Sequence, residues 1–202
     1  GKQVIVMAPR KIGRWRWKLF LWDTRYRELR NHPLSNIRDP IDAASFVEGK
    51  EPRVAVRTRH SIQIWDLQRA QQLSTIKTKA GHGSPLAVSP NGRYLISAKT
   101  LWNLKTGKII RVLDEWPKCI SFSPDGAYLA IGYNSNQVSL YDMTEGKPIQ
   151  EITHKSCPLT FCPNSKTLVT SHRGTKLNVW RISEATPATK AKRLRLVRGA
   201  KL

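Results

Sequence analysis

Acidic side chains are scarce in this chain of 202 residues. Asp and Glu number 14 against 35 Lys and Arg, which gives a formal net charge of +21. Solubility alone requires a net charge of only roughly 2–8 on a small domain. The excess favours a polyanionic partner, and we expect RNA more than DNA, contacted through its backbone. The alternative is a set of acidic protein partners without nucleic acid.

Cysteine is also rare. The three residues, Cys119, Cys157 and Cys162, form an odd set without the pattern of a disulfide framework, which favours a reducing, intracellular compartment. On a strand, the spacing between Cys157 and Cys162 places their side chains on opposite faces. Since no His or Cys cluster completes a metal site there, we expect buried apolar thiols, no metal and no cofactor.

Long apolar runs are missing, since none approaches the roughly 20 residues that a membrane-spanning helix needs. The opening segment, GKQVIVMAPRK, lacks the charge, apolar stretch and cleavage site of a secretory signal. The sequence thus predicts no membrane partner. Because the chain begins with Gly rather than Met, a processed product and a fragment both stay open.

Recognisable catalytic motifs are absent too. No histidine has a Ser, Cys or carboxylate beside it in a known catalytic arrangement. The five are His32, His60, His82, His154 and His172. A glycine-rich loop that could cradle a phosphate is also lacking. We therefore predict turn or structural roles for the histidines, and no enzyme.

What the chain does contain is a repeat of about forty residues. Five alternating apolar segments end in an aromatic and then a polar residue: LFLWDT (19–24), IQIWDL (62–67), TLWNLK (100–105), VSLYDM (138–143) and LNVWRI (177–182). Their aromatics are Trp22, Trp65, Trp102, Tyr141 and Trp180, spaced by 43, 37, 39 and 39 residues. One structural unit per repeat is therefore expected.

A second pattern recurs in phase with the first. It reads AVSPNGRYLIS (87–97), SFSPDGAYLAI (121–131) and TFCPNSKTLVT (160–170), with a looser copy at 44–56. Each copy predicts two short strands joined by a turn, because Pro presets one turn position and Asn, Asp and Gly accept the next. With a further strand after each aromatic, every repeat predicts four short antiparallel strands.

These landmarks resemble those of the WD-repeat family over nearly the whole chain. The resemblance rests on Trp22-Asp23, Trp65-Asp66, Trp102-Asn103, Tyr141-Asp142, the turns Pro90-Asn91-Gly92 and Pro124-Asp125-Gly126, and Gly81-His82. It implies an all-β fold, a β-propeller of four-stranded antiparallel blades over residues 1–186. It also implies a non-enzymatic platform that binds other protein subunits.

The chain departs from the family pattern in two ways. Three turns lack the Asp that links His and Trp in family blades, namely RTRHS (57–61), YNSNQ (133–137) and SHRGT (171–175), so we expect these blades to depend more on apolar packing. About five blades are visible, and the first lacks its innermost strand, whereas the family mostly closes with seven. Sequence not present here, a second chain, or a five-bladed closure would complete the ring.

Basic residues concentrate at both ends of the chain. In RKIGRWRWK (10–18), cations alternate with indoles, so phosphates could be neutralised while an indole stacks on an unpaired base. The candidate nucleic-acid contacts there are Arg10, Lys11, Arg14, Arg16 and Lys18, with Trp15 and Trp17 as candidate stacking residues. The alternative is a solvated hairpin tip with one Trp packed between blades.

The segment 187–202 is basic and carries no acidic residue. Its candidate contacts are Lys190, Lys192, Arg193, Arg195 and Arg198. Alternation in KRLRLVR fits an outer strand of the last blade with one face toward phosphate, and a flexible basic arm is the alternative. We predict a scaffold subunit of a large assembly, a ribonucleoprotein, whose basic ends contact nucleic acid.

Overall fold

The computed structural model describes residues 3–9, 17–23, 28–31, 34, 37, 39–47, 51–78, 85–153, 157–172, 176–184 and 194–198. The elements in these ranges are nineteen short β-strands. Across the same ranges, no helix is long and apolar enough to cross a membrane. The period-two alternation of the sequence explains why strands form here.

The strands make five antiparallel sheets, each running through the chain in order. Sheet 1 holds β1 (Gln3–Pro9), β2 (Trp17–Asp23) and β3 (Glu28–Asn31). Sheet 2 holds β4 (Ile41–Val47), β5 (Arg53–Thr58), β6 (Ser61–Asp66) and β7 (Gln71–Lys77). Sheet 3 holds β8 (Leu86–Val88), β9 (Tyr94–Ser97), β10 (Thr100–Asn103) and β11 (Ile109–Val112).

Sheet 4 holds β12 (Pro117–Phe122), β13 (Tyr128–Tyr133), β14 (Gln137–Asp142) and β15 (Lys147–Thr153). Sheet 5 holds β16 (Leu159–Phe161), β17 (Thr167–His172), β18 (Lys176–Glu184) and β19 (Leu194–Arg198). Four of the five sheets have four strands, and sheet 1 has three. The prediction of an all-β fold of four-stranded antiparallel units with an incomplete first unit is confirmed.

The five repeated aromatics occupy matching positions. Each lies on the strand that precedes the outermost strand, opposite an aliphatic residue of the strand before it. The pairs are Trp22 with Val4, Trp65 with Val54, Trp102 with Leu95, Tyr141 with Leu129, and Trp180 with Leu168. In sheets 2, 3 and 4 the register with the outermost strand shifts just before the aromatic. The repeat in the sequence is therefore a repeat in the structure.

The apolar core lies between neighbouring sheets. The first strands β4, β8, β12 and β16 adjoin one another in series. Leu140 of sheet 4 packs in one cluster with Leu159 and Phe161 of sheet 5. Other clusters join sheet 3 to sheet 4 and sheet 2 to sheet 3. From sheet 2 to sheet 5, each sheet therefore covers an apolar face of the next, as a propeller requires.

In sheets 2, 3 and 4 the polar residue after the aromatic closes the turn into the outermost strand. Asp66 Oδ1 accepts hydrogen bonds from the backbone N–H groups of Gln68 and Arg69, both at 2.8 Å. Asn103 and Asp142 accept equivalent bonds in sheets 3 and 4. The bond from Arg69 N–H is the largest cause that lowers the pKa of Asp66. Aspartate or asparagine is thus favoured because its side chain satisfies turn donors.

The cysteines correct one sequence prediction. Cys119 and Cys157 form a disulfide with their Cα atoms 6.0 Å apart, so the prediction of a free thiol at Cys157 is wrong. Cys119 lies on β12 and Cys157 just precedes β16, so the bond joins the first strands of sheets 4 and 5. Cys162 is a half-buried free cysteine. The reducing compartment stays a prediction.

Candidate interaction surfaces

Most residues predicted to contact nucleic acid lie outside the described ranges. These are Arg10, Lys11, Arg14, Trp15, Arg16, Lys190, Lys192 and Arg193. The backbone of Trp17 and Lys18 belongs to β2, opposite Pro9 and Ala8. That of Arg195 and Arg198 belongs to β19, opposite Ser183 and Trp180. Their role in nucleic-acid binding stays a prediction.

One cation is fully buried inside the fold. Arg57, near the end of β5, directs its Nη1 toward Ser97 Oγ of sheet 3 at 3.4 Å. Burial lowers the pKa of Arg57, and the negative charge of Asp42 opposes that effect. A buried Arg that bridges two sheets fixes how they pack, and it is inaccessible to a partner. We therefore assign it a structural role.

Apolar side chains are exposed along the outer edge of sheet 3. Ile109, Ile110 and Val112 of β11 are exposed, as is Trp116 in the connection that follows. We call these four residues the apolar strip. Arg111, between them, turns inward and places its guanidinium carbon 5.8 Å from the centre of the Tyr141 ring. The matching strand β7 exposes mainly polar residues, with Leu73 as its exposed large apolar side chain.

The sequence prediction missed this strip. The sequence nevertheless contained a signal for it. The outermost strand of each four-stranded unit has one edge toward solvent. In sheets 2 and 4 this strand reads QQLSTIK and KPIQEIT, whereas in sheet 3 β11 reads IIRV. Strand β11 is therefore the most apolar of the three, and exposed apolar side chains could have been expected on it.

A cavity of about 320 Å³ opens between sheets 2 and 3. Sheet 2 contributes β-strand residues, and sheet 3 contributes the turn between β8 and β9 and the turn between β10 and β11. Its cations are Arg53, Arg93 and Lys105, and its large apolar residues are Val47, Ile64, Leu73 and Leu104. We call it the sheet 2–3 cavity. Among the described residues that line it, none is acidic.

Metal chemistry finds no support in the part of the chain that the structure describes. There, no group of three or more His, Cys, Asp and Glu residues is placed to hold a metal ion.

Tyr133, at the end of β13, is partly buried, and burial together with a hydrogen bond to Tyr141 raises its pKa. Its phenol is therefore neutral near pH 7 and acts as a structural hydrogen-bonding group.

Comparison with known proteins agrees with this architecture. A family model for the WD40 domain of anaphase-promoting complex subunit 4 matches residues 96–164, which include Trp102 and Tyr141. The meiotic recombination protein rec14 of Schizosaccharomyces pombe is 25% identical over 141 residues, which are 65% of this chain and 46% of rec14. Protein groucho of Drosophila melanogaster is 27% identical over 138 residues, which are 61% of this chain and 19% of groucho. The chain therefore resembles WD-repeat proteins in sequence as well as in fold.

The chain spans less than half the length of rec14 and about a fifth of groucho. Its five sheets correspond to propeller blades, and the repeated aromatic is the Trp of the Trp-Asp pair, replaced by Tyr in sheet 4. The family resemblance predicted from the sequence is therefore confirmed. The WD-repeat fold leaves its outer strands and turns available to partners.

Proposed function

We propose that this chain is a non-enzymatic scaffold that holds partner proteins within a larger assembly. The apolar strip is the observation that carries the proposal. Ile109 and Val112 are each 59% exposed and Trp116 is 49% exposed. Contiguous exposed apolar residues on a soluble protein mark interaction sites, because water contact with them is unfavourable. Four of them within eight residues are a surface that a partner protein would cover.

The test compares the strip with an isolated exposed residue. Leu177, on β18, is 57% exposed and serves as the matched control. We expect Ile109→Ser with Val112→Ser to weaken a directly bound protein partner by about tenfold or more, because each side chain loses buried apolar area. Leu177→Ser should change that affinity by less than about twofold. Affinity purification with nuclease treatment, followed by titration of the recovered partner, measures both.

Loss of every protein partner on nuclease treatment would contradict the scaffold proposal. Equal weakening by the strip variant and by Leu177→Ser would contradict the role of the strip. Both variants change exposed positions, so urea denaturation should show similar stability for both.

Nucleic-acid contact within a ribonucleoprotein is a second candidate function. The net charge of +21 favours it, since 35 basic residues far exceed what solubility needs. In this proposal the basic ends hold the phosphate backbone while the propeller holds protein subunits. The same nuclease treatment separates the two candidates, because only the second predicts partners that depend on nucleic acid.

A further inference from the structure

We propose that the sheet 2–3 cavity binds an acidic peptide segment of a partner protein and takes up one large apolar side chain from it. This inference rests on the proposed scaffold function and specifies the chemistry of one contact. Neither the WD-repeat assignment nor the apolar strip requires such a site.

The cavity exists because of a substitution at one repeated position. In sheet 3 that position is Tyr94, which pairs with Asn103 and whose hydroxyl donates to the carbonyl oxygen of Met143 in sheet 4 at 2.8 Å. The phenol thus closes the gap between sheets 3 and 4. Arg53 occupies the same position in sheet 2, opposite Asp66, and its side chain is 45% exposed. Without an aromatic bridge, the gap between sheets 2 and 3 stays open.

The cavity combines an apolar floor with a cationic rim. Val47 and Ile64 are nearly buried, Leu104 is half-buried and Leu73 is exposed. The volume of about 320 Å³ lies at the low end of the roughly 300–1,000 Å³ that ligand pockets span. It suits a single large side chain. A Leu or a similar residue of an extended peptide would bury apolar surface there.

Two of the rim cations lie in turns whose backbone is held by a side-chain hydrogen bond. The backbone N–H of Arg93 donates to Asn91 Oδ1 at 3.1 Å, and that of Lys105 donates to Asn103 Oδ1 at 2.9 Å. The third cation, Arg53, lies 3.7 Å from Glu51, which also pairs with Arg69. Cations beside an apolar floor match a segment in which carboxylates flank an apolar residue.

The matching surface of the next pair of sheets lacks both features. Ala127 and Thr144 of sheet 4 stand where sheet 3 has Arg93 and Lys105. Met143 is buried where Leu104 is half-buried. The surface between sheets 3 and 4 therefore lacks the cation pair of Arg93 and Lys105, whereas sheet 5 keeps a cation at one of these positions, Lys166.

A peptide fits this lining better than a nucleic acid does. The large apolar residues in the described part of the lining are all aliphatic, and none offers the aromatic face on which an unpaired base stacks. A phosphate backbone would contact the cations and leave the apolar floor unfilled. An acidic peptide with an apolar residue satisfies both parts of the site.

The test uses the full chain and fluorescently labelled peptides. The probes are DDLDD, the same peptide with Ser in place of Leu, and a short oligouridine of similar charge. Fluorescence anisotropy measures their binding. We expect DDLDD to bind about tenfold more tightly than the Ser peptide, because the Leu side chain fills the cavity.

Two variants and one control complete the design. Arg93→Glu with Lys105→Glu should weaken DDLDD by about tenfold or more, and Arg53→Tyr should do the same by closing the gap. The control is Lys108→Glu with Lys166→Glu, which changes the net charge of the chain by the same amount. Both residues are exposed and lie outside the cavity lining, and Lys166 holds the position in sheet 5 that Arg93 holds in sheet 3. It should weaken DDLDD by less than about twofold.

Three results would overturn the inference. These are equal affinity for the Leu and Ser peptides, equal weakening by the cavity variant and the control, and displacement of DDLDD by oligouridine at equal affinity. If none of the peptides binds while nuclease-resistant partners still depend on the apolar strip, the cavity inference fails and the scaffold proposal stands.

Discussion

At the residue scale, two glycines in left-handed turns differ in what surrounds them. Gly126 has φ +70°, and a Cβ there would lie 2.6 Å from Asn91 Nδ2 of the neighbouring sheet. Gly107 has φ +67°, with no atom within 4 Å of an added Cβ. Asn91 is itself held, because its Oδ1 accepts bonds from Ser89 Oγ at 2.7 Å and from Arg93 N–H at 3.1 Å.

We therefore expect Gly126→Ala to cost more stability than Gly107→Ala. The change at Gly107 should lower the free energy of unfolding by about 1 kcal/mol, the cost of a left-handed non-glycine residue. The change at Gly126 should cost about 1–3 kcal/mol more, because Asn91 must move and give up bonds in its turn. Urea denaturation of both variants measures the difference, and equal midpoints would contradict it.

At the scale of elements, the disulfide joins the first strands of two neighbouring sheets. Its cysteines are 38 residues apart in sequence. Closing a loop of that length restricts the unfolded chain and stabilises the fold by about 4 kcal/mol in the chain-entropy model. Cys119→Ser should lose about that much, whereas Cys162→Ser, which removes a free cysteine, should lose far less.

Thiol titration and urea denaturation test this element together. The unfolded, unreduced protein should show one reactive thiol, and reduction should expose the other two. Reducing agent should lower the stability of the parent chain and leave that of Cys119→Ser unchanged. If the parent chain shows three thiols before reduction, the disulfide assignment is wrong.

The sequence contained a signal for this pairing that the prediction did not use. Cys119 and Cys157 are separated by nearly the spacing of the repeated aromatics, so they hold similar positions in successive units. First strands of successive sheets are neighbours, and cysteines one repeat apart on them can meet. Cys157 and Cys162, by contrast, lie within one unit, where alternation along a strand separates the side chains.

At the scale of the whole molecule, periodicity predicted the fold well and the candidate sites poorly. Repeated aromatics and turns are local patterns, so strand order and the matching positions of Trp65, Trp102 and Tyr141 could be inferred from spacing. The sheet 2–3 cavity could not, because it depends on which side chain reaches across between two sheets. Arg53 indicates an open gap only once the strand pairing shows that it holds the position in sheet 2 that Tyr94 holds in sheet 3.

Net charge also acts at this scale, and it makes the nucleic-acid candidate testable. Each backbone phosphate that a basic residue neutralises releases counterions, so the logarithm of the affinity falls linearly with the logarithm of the salt concentration.

Reversing Arg10, Lys11, Arg14 and Arg16 to Glu should weaken oligouridine binding and reduce the steepness of that dependence by about 0.7 for each phosphate that is no longer neutralised. The control reverses the exposed residues Lys77, Lys108, Lys118 and Lys166, which lie on sheets 2 to 5 and change the net charge equally. Titration between roughly 50 and 200 mM salt should separate the two variants if the N-terminal residues bind the phosphates. If both variants shift the dependence equally, the chain attracts nucleic acid through its overall charge, and the N-terminal site does not exist.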